Sequence, residues 1–101
     1  MEKSIEKTVC DLAEAAGYFV RKVKWPGVDG APDRLFIRNG LHVWIEFKDR
    51  GKRETGLAIL QKRNREKMQA AGAEVHVVDS VRKACIILNL PSTFDPLRPH
   101  Y

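Results

Sequence analysis

Two acids and a lysine carry the most chemical information in this sequence. Asp33 follows Pro32, and Glu46-Phe47-Lys48 comes after twelve intervening residues. Glu46 and Lys48 stand at i and i+2, so on a strand both project from one face. Two carboxylates beside an ammonium suit phosphodiester hydrolysis. A hard cation such as Mg²⁺ takes oxygen ligands, commonly one or two carboxylates plus water and substrate phosphate. Asp33 and Glu46 can supply those oxygens, and the backbone carbonyl of Phe47 a third. The cation would polarise the phosphate and lower the pKa of a bound water. Lys48 would hold that water or a phosphate oxygen and stabilise developing negative charge. Next to two carboxylates its ammonium stays protonated, which favours an electrostatic and orienting role over that of a free base. A plain salt bridge between Glu46 and Lys48 is the competing reading of that pair.

Distant residues converge only if the intervening chain folds back. Asn39-Gly40 is the strongest hairpin signal in the chain. It turns the strand predicted over Asp33 to Ile37 back beside Leu41 to Lys48, so the start of one strand meets the end of the other. In the second strand Leu41, Val43, Ile45 and Phe47 point one way, and His42, Trp44, Glu46 and Lys48 the other. Upstream, Ile5, Val9, Leu12 and Ala16 mark one face of a helix over Ser4 to Ala16, ended by Gly17. Tyr18 to Trp25 reads as a strand, with Phe19, Val23 and Trp25 on its apolar parity. Pro26 to Pro32 is a loop. Downstream, Asp49 to Glu54 is a charged loop. Thr55 caps a second helix running to about Ala71, with Leu57, Leu60, Asn64, Met68 and Ala71 on its inner face and Gln61 beside them. Glu74 to Val78 is a fourth strand. Asp79 or Ser80 caps a third helix, apolar at Val81, Ala84, Cys85 and Leu88. The order α–β–β–β–α–β–α predicts an antiparallel meander, a helical crossover to the fourth strand, and a mixed four-stranded sheet flanked by helices. Residues 1–90 form the expected domain, and the proline-containing 91–101 a tail.

The compound pattern Gly30-Ala31-Pro32-Asp33-Arg34-Leu35, Val43-Trp44-Ile45-Glu46-Phe47-Lys48, a helical Gln61 and Gly72-Ala73-Glu74-Val75-His76-Val77-Val78 resembles the VRR-NUC (virus-type replication and repair nuclease) domain. That domain is a branch of the PD-(D/E)XK nuclease superfamily, whose restriction-endonuclease-like core has the α–βββ–α–β order. The resemblance spans roughly residues 4–88. It implies Mg²⁺- or Mn²⁺-dependent DNA cleavage with Asp33, Glu46 and Lys48 at its centre. It adds Glu6, matching the family's helical acid, which shares a helix stripe with Val9, Cys10 and Ala13 and would bind a metal-bound water. It also adds Gln61, whose amide would bind phosphate or orient Lys48. Stand-alone members resemble Holliday-junction resolvases acting as homodimers, which implies branched or junction DNA as substrate and a C2 pair.

Charge fits a polyanionic partner. The 101 residues carry 18 Lys and Arg against 13 Asp and Glu, a net charge of +5. Between Lys48 and Lys67 stand eight bases and three acids. Arg50, Lys52, Arg53, Lys62, Arg63 and Arg65 from this run, with Arg21, Lys22 and Arg34, are the expected phosphate contacts, which carry no sequence information. Trp44 shares the face of Glu46 and is expected to pack rather than stack on a base. His42, His76 and His100 lack zinc-ligand spacing, which disfavours a zinc-dependent mechanism. No apolar run approaches the length of a membrane span, no Gly-rich phosphate loop predicts a nucleotide cofactor, and Met1 to Lys7 has no apolar signal core. Cys10 and Cys85 lie in apolar patterns and read as buried free thiols of a reducing compartment, the cytoplasm of a bacterial or phage-infected cell. The alternative class is a non-catalytic nucleic-acid-binding module that keeps the fold. A third reading, a small basic RNA-binding protein, accounts for the bases but not for the acids.

Overall fold

A computed structural model describes residues 2–28, 30–48 and 56–91. The elements are α1 (Glu2–Ala15), β1 (Phe19–Lys22), β2 (Arg34–Arg38), β3 (Leu41–Phe47), α2 (Gly56–Ala70), β4 (Glu74–Val78) and α3 (Val81–Leu88). They build one four-stranded sheet in the order β1-β2-β3-β4. The first three strands are an antiparallel meander, and β4 lies parallel to β3 after the α2 crossover. This is the expected mixed sheet flanked by helices.

The β2–β3 turn shows why Asn39-Gly40 is so strong a signal. Asn39 has φ 52° and Gly40 φ 81°. Two successive positive φ values give the mirror-image turn whose twist matches that of the flanking strands.

One face of the sheet packs on α1 and α3. Val20, Phe36, Val43, Ile45, Phe47 and Val78 from the strands meet Val9, Ala13, Ala84, Cys85 and Leu88 from the helices. Tyr18 and Arg38 tie the ends of both helices to this core. The Tyr18 hydroxyl donates to the Leu88 carbonyl at 2.7 Å, and Arg38 donates to the carbonyls of Ala16 and Leu88. The Arg38 guanidinium also lies 4.2 Å from the centre of the Tyr18 ring. A cation at two helix C-termini complements both dipoles. Ser80 caps α3 by accepting from the Lys83 amide, and Asn89 closes it at φ 53°. Cys10 and Cys85 are both buried, and burial pushes the Cys10 thiol above its ordinary pKa.

The opposite face of the sheet is covered by α2, which reaches it through polar groups. Gln69 Nε2 donates to the Val75 carbonyl at 3.0 Å, and Arg65 meets Glu46. Here two expectations about facing hold only in part. Of the expected inner face of α2, Asn64 and Met68 are half-buried, but Leu60 is 40% exposed and Ala71, just past the helix, is exposed, while Ala58, Gln61 and Arg65 are half-buried as well. The inward stripe is rotated by one residue and is largely polar, because it covers a carboxylate. In β1 the buried parity is Tyr18 and Val20, and Phe19 is 50% exposed beneath the Arg21 guanidinium. The strand also stops at Lys22. Among the described residues the Val23 amide extends the pairing, donating to the Asp33 carbonyl. The Thr55 cap, the charged segment 49–55 and the tail 92–101 lie outside the described residues, as does the side chain of Leu57.

Candidate active site

The hairpin register places the acids. Arg34 pairs with Ile45, so Asp33 and Glu46 stand at the next rung. Glu46 shares its side of β3 with Trp44, toward α2, and is only 5% exposed. Its two oxygens have different fates. Oε2 accepts from Arg65 Nη1 at 3.4 Å, whereas Oε1 is fully buried with no hydrogen-bond partner among the described residues. A buried acceptor left unpaired is costly and uncommon in folded proteins. Burial pushes the Glu46 carboxyl above the ordinary carboxylate range; Arg65 and then Lys48 pull it back, and Asp33 pushes it further up. Those influences place Asp33, Lys48 and Arg65 around one carboxylate. The Lys48 backbone is fixed by its amide, which donates to the Val78 carbonyl at 2.8 Å.

The segment leading to Asp33 is held from two sides. Trp25 Nε1 donates to the Pro32 carbonyl at 2.7 Å, and the Trp25 ring packs on Trp44 with centroids 5.3 Å apart. Trp44 therefore packs, as expected. From the other side Gly30 lies against the backbone of α2. A Cβ there would stand 2.8 Å from the Gln61 nitrogen and 3.0 Å from the Leu60 carbonyl carbon. Half-buried Gln61 is thus carried on the turn of α2 that the Asp33 loop abuts. Asp33 itself is half-exposed, with Lys22 Nζ at 4.0 Å.

Glu6 lies across the sheet from this group. Arg34 Nε donates to Glu6 Oε2. Arg34 is also within electrostatic reach of Asp33, so it links the helical acid to the hairpin acid.

The expected phosphate strip divides. Lys62 and Arg63 are exposed on α2, and Lys22 and Arg21 on β1. Arg21 is partly engaged locally, over Phe19 and on the Val20 carbonyl. Arg34 and Arg65 depart from the expectation. Their side chains are 24% and 18% exposed, and each is turned onto an acid. Arg50, Lys52 and Arg53 lie outside the described residues. Sequence reasoning also missed the holding roles of Trp25 and Gly30. For Arg65 a signal was available, since it stands four residues after Gln61 and so on the same helix face.

The described residues hold no cluster of three or more His, Cys, Asp or Glu side chains. A cation here would take two protein carboxylates and fill its shell with water and phosphate, which is the habit of Mg²⁺. The orphaned Oε1 beside Asp33 and Lys48 fits that requirement.

The chain matches a solved structure of a VRR_NUC domain with TM-score 0.74 and 30% identity, over 87% of this chain and 94% of that one. The chain belongs to the VRR_NUC family. A nuclease-type function follows from that membership. No protein-family model and no curated protein matches the chain. Among the described residues no helix of this VRR_NUC domain is long and apolar enough to cross a membrane.

The buried carboxylate makes stability depend on pH with a definite sign. Burial, the largest influence, holds the Glu46 pKa above its ordinary 4.5 in the folded chain. The fold therefore binds this proton more tightly than the unfolded chain does, and stability falls as pH rises from the ordinary value through the raised one. Glu46→Gln removes the titration. In urea unfolding without divalent metal, the stability of the parent relative to the variant should decline as pH rises across that window. A relative stability that climbs instead would mean that Arg65 and Lys48 outweigh burial.

Proposed function

We propose that this VRR_NUC domain is a divalent-metal-dependent, structure-selective DNA endonuclease of the Holliday-junction-resolvase type. The reading is carried by Glu46 Oε1, a buried carboxylate oxygen without a donor among the described residues, set beside Asp33 and Lys48. Asp33, Glu46 and the Phe47 carbonyl are the proposed holders of Mg²⁺ or Mn²⁺; Glu6, across the sheet and paired with Arg34, would act only through water and after leaving that arginine. When bound, the cation polarises the scissile phosphate and lowers the pKa of a water. Lys48 holds its ammonium toward the developing negative charge, and Gln61 orients Lys48 or a phosphate oxygen from α2. Exposed Arg63, Lys62, Arg21 and Lys22 attract the DNA backbone without reading its sequence. Symmetric cutting of a junction needs two sites, so the working unit proposed is a C2 homodimer of the 1–90 domain. Buried thiols suit a reducing cytoplasm.

The Arg65–Glu46 and Arg34–Glu6 pairs also suit a binding module whose acids are purely structural. One experiment separates the two. The protein is incubated with a four-way junction, a splayed duplex and a linear duplex, with Mg²⁺, with Mn²⁺ and with EDTA. Metal-dependent cutting of the junction is expected, lost in Asp33→Ala with binding retained. Binding without cutting under every metal would leave only the binding module. A sedimentation mass of one chain at working concentration would count against the homodimer.

A further inference from the structure

Arg65 stands out once its partner is known. It projects from α2 under the sheet, one turn beyond Gln61, and its side chain is 18% exposed. Phosphate-binding arginines present the guanidinium to solvent, whereas this one is committed to a carboxylate that is itself 5% exposed. The contact is one-sided. Arg65 Nη1 takes Glu46 Oε2 and leaves Oε1 buried and unpartnered among the described residues. The two oxygens of a carboxylate cannot turn independently, so a donor fixed on one aims the other. Outer partners of this kind orient ligand groups and commonly decide how tightly a metal is held.

We propose that Arg65 is a positioning residue for cation binding: it anchors Glu46 by Oε2 and presents Oε1 to the cation. The proposal rests on the reading of Glu46 as a cation ligand. The guanidinium also repels a nearby cation, so the proposal requires its orienting effect on Glu46 to outweigh that repulsion. Val75 and Val77 run beside Glu46 on β4, whereas Val43, Ile45 and Phe47 alternate with it and face α1 and α3. Neither the Val75 nor the Val77 side chain offers a hydrogen bond that would hold the carboxylate in one rotamer. Arg65 is thereby removed from the phosphate strip, and Arg63 remains in it.

The test is Mn²⁺ binding to the full chain without DNA, followed by calorimetry, for the parent, R65M, R65Q, R65K and E46Q, each checked by circular dichroism. Loss of Arg65 in R65M and R65Q is expected to weaken Mn²⁺ binding about 10–100-fold, with R65K recovering most of it and E46Q binding none at this site. If R65M fails to fold, R65Q decides by the same criterion. Parent-like or tighter Mn²⁺ binding in R65Q, with binding still lost in E46Q, overturns the role of Arg65 and leaves Glu46 as a ligand. Equal binding by the parent and E46Q, or none by the parent, overturns the Glu46 reading and this one with it. In EDTA, R63M should lower the salt slope of DNA affinity by about 0.9, and R65Q should leave it unchanged. A lowered slope in R65Q returns Arg65 to the phosphates and overturns the proposal.

Discussion

Replacing Lys48 with methionine should lower the single-turnover rate of junction cutting about 10²–10³-fold, the usual loss when a preorganised donor to developing negative charge is removed. Methionine keeps the unbranched stem and takes away only the ammonium. The backbone at position 48 is held by the Val78 carbonyl, so the strand end should stay in place. DNA affinity should change little, because the exposed bases on α2 and β1 remain. The rate loss and the retained affinity together identify the role. An interaction that acts only in the transition state lowers the rate without weakening substrate binding. Asp33→Asn should bring a comparable loss, and the double variant little more, since groups that act as a unit are not additive. A Lys48→Met enzyme cutting within about tenfold of the parent, well short of the loss a working donor should cause, would take Lys48 out of the reaction.

The convergence behind that expectation is legible in the sequence because three local rules agree. The period-two alternation of Leu41 to Phe47 gives a strand, Asn39-Gly40 gives a tight turn, and the length of the turn fixes the rung at which Asp33 meets Glu46. The α2 side was harder to read for a physical reason. Hydrophobic periodicity finds the buried face of a helix only when the face it meets is apolar. Here the sheet offers Glu46, so the buried stripe holds Gln61, Asn64 and Arg65 while Leu60 is 40% exposed. The same cause misplaces Arg65 and Arg34, whose acidic partners lie 19 and 28 residues away in sequence. Phe19 misleads because β1 is an edge strand whose outer face is covered locally by Arg21.

Gly30→Ala should damage the site more than any other single-methyl change in the described chain. Gly30 sits at φ +78°, where a side chain is strained, and its Cβ would press on the Gln61 nitrogen, the Leu60 carbonyl carbon and the Leu60 Cβ. Two of those atoms are helix backbone, so rotating a side chain cannot relieve the contact. Either α2 moves away from the loop or the loop moves away from α2. The loop runs through Pro32 to Asp33, and the helix carries Gln61 and Arg65. A displacement of about 1 Å in such groups can cost about 10²-fold in rate. Gly72→Ala is the matched control. It has φ +99° but nothing within 4 Å of the added Cβ. It should lose about 1–2 kcal/mol of stability from left-handed strain and keep its cutting rate. Gly30→Ala should lose the rate as well, measured well below its unfolding temperature, with faster hydrogen exchange of the α2 amides. If both variants lose stability alone and cut alike, the close approach of the Asp33 loop to α2 does not set the geometry of the site.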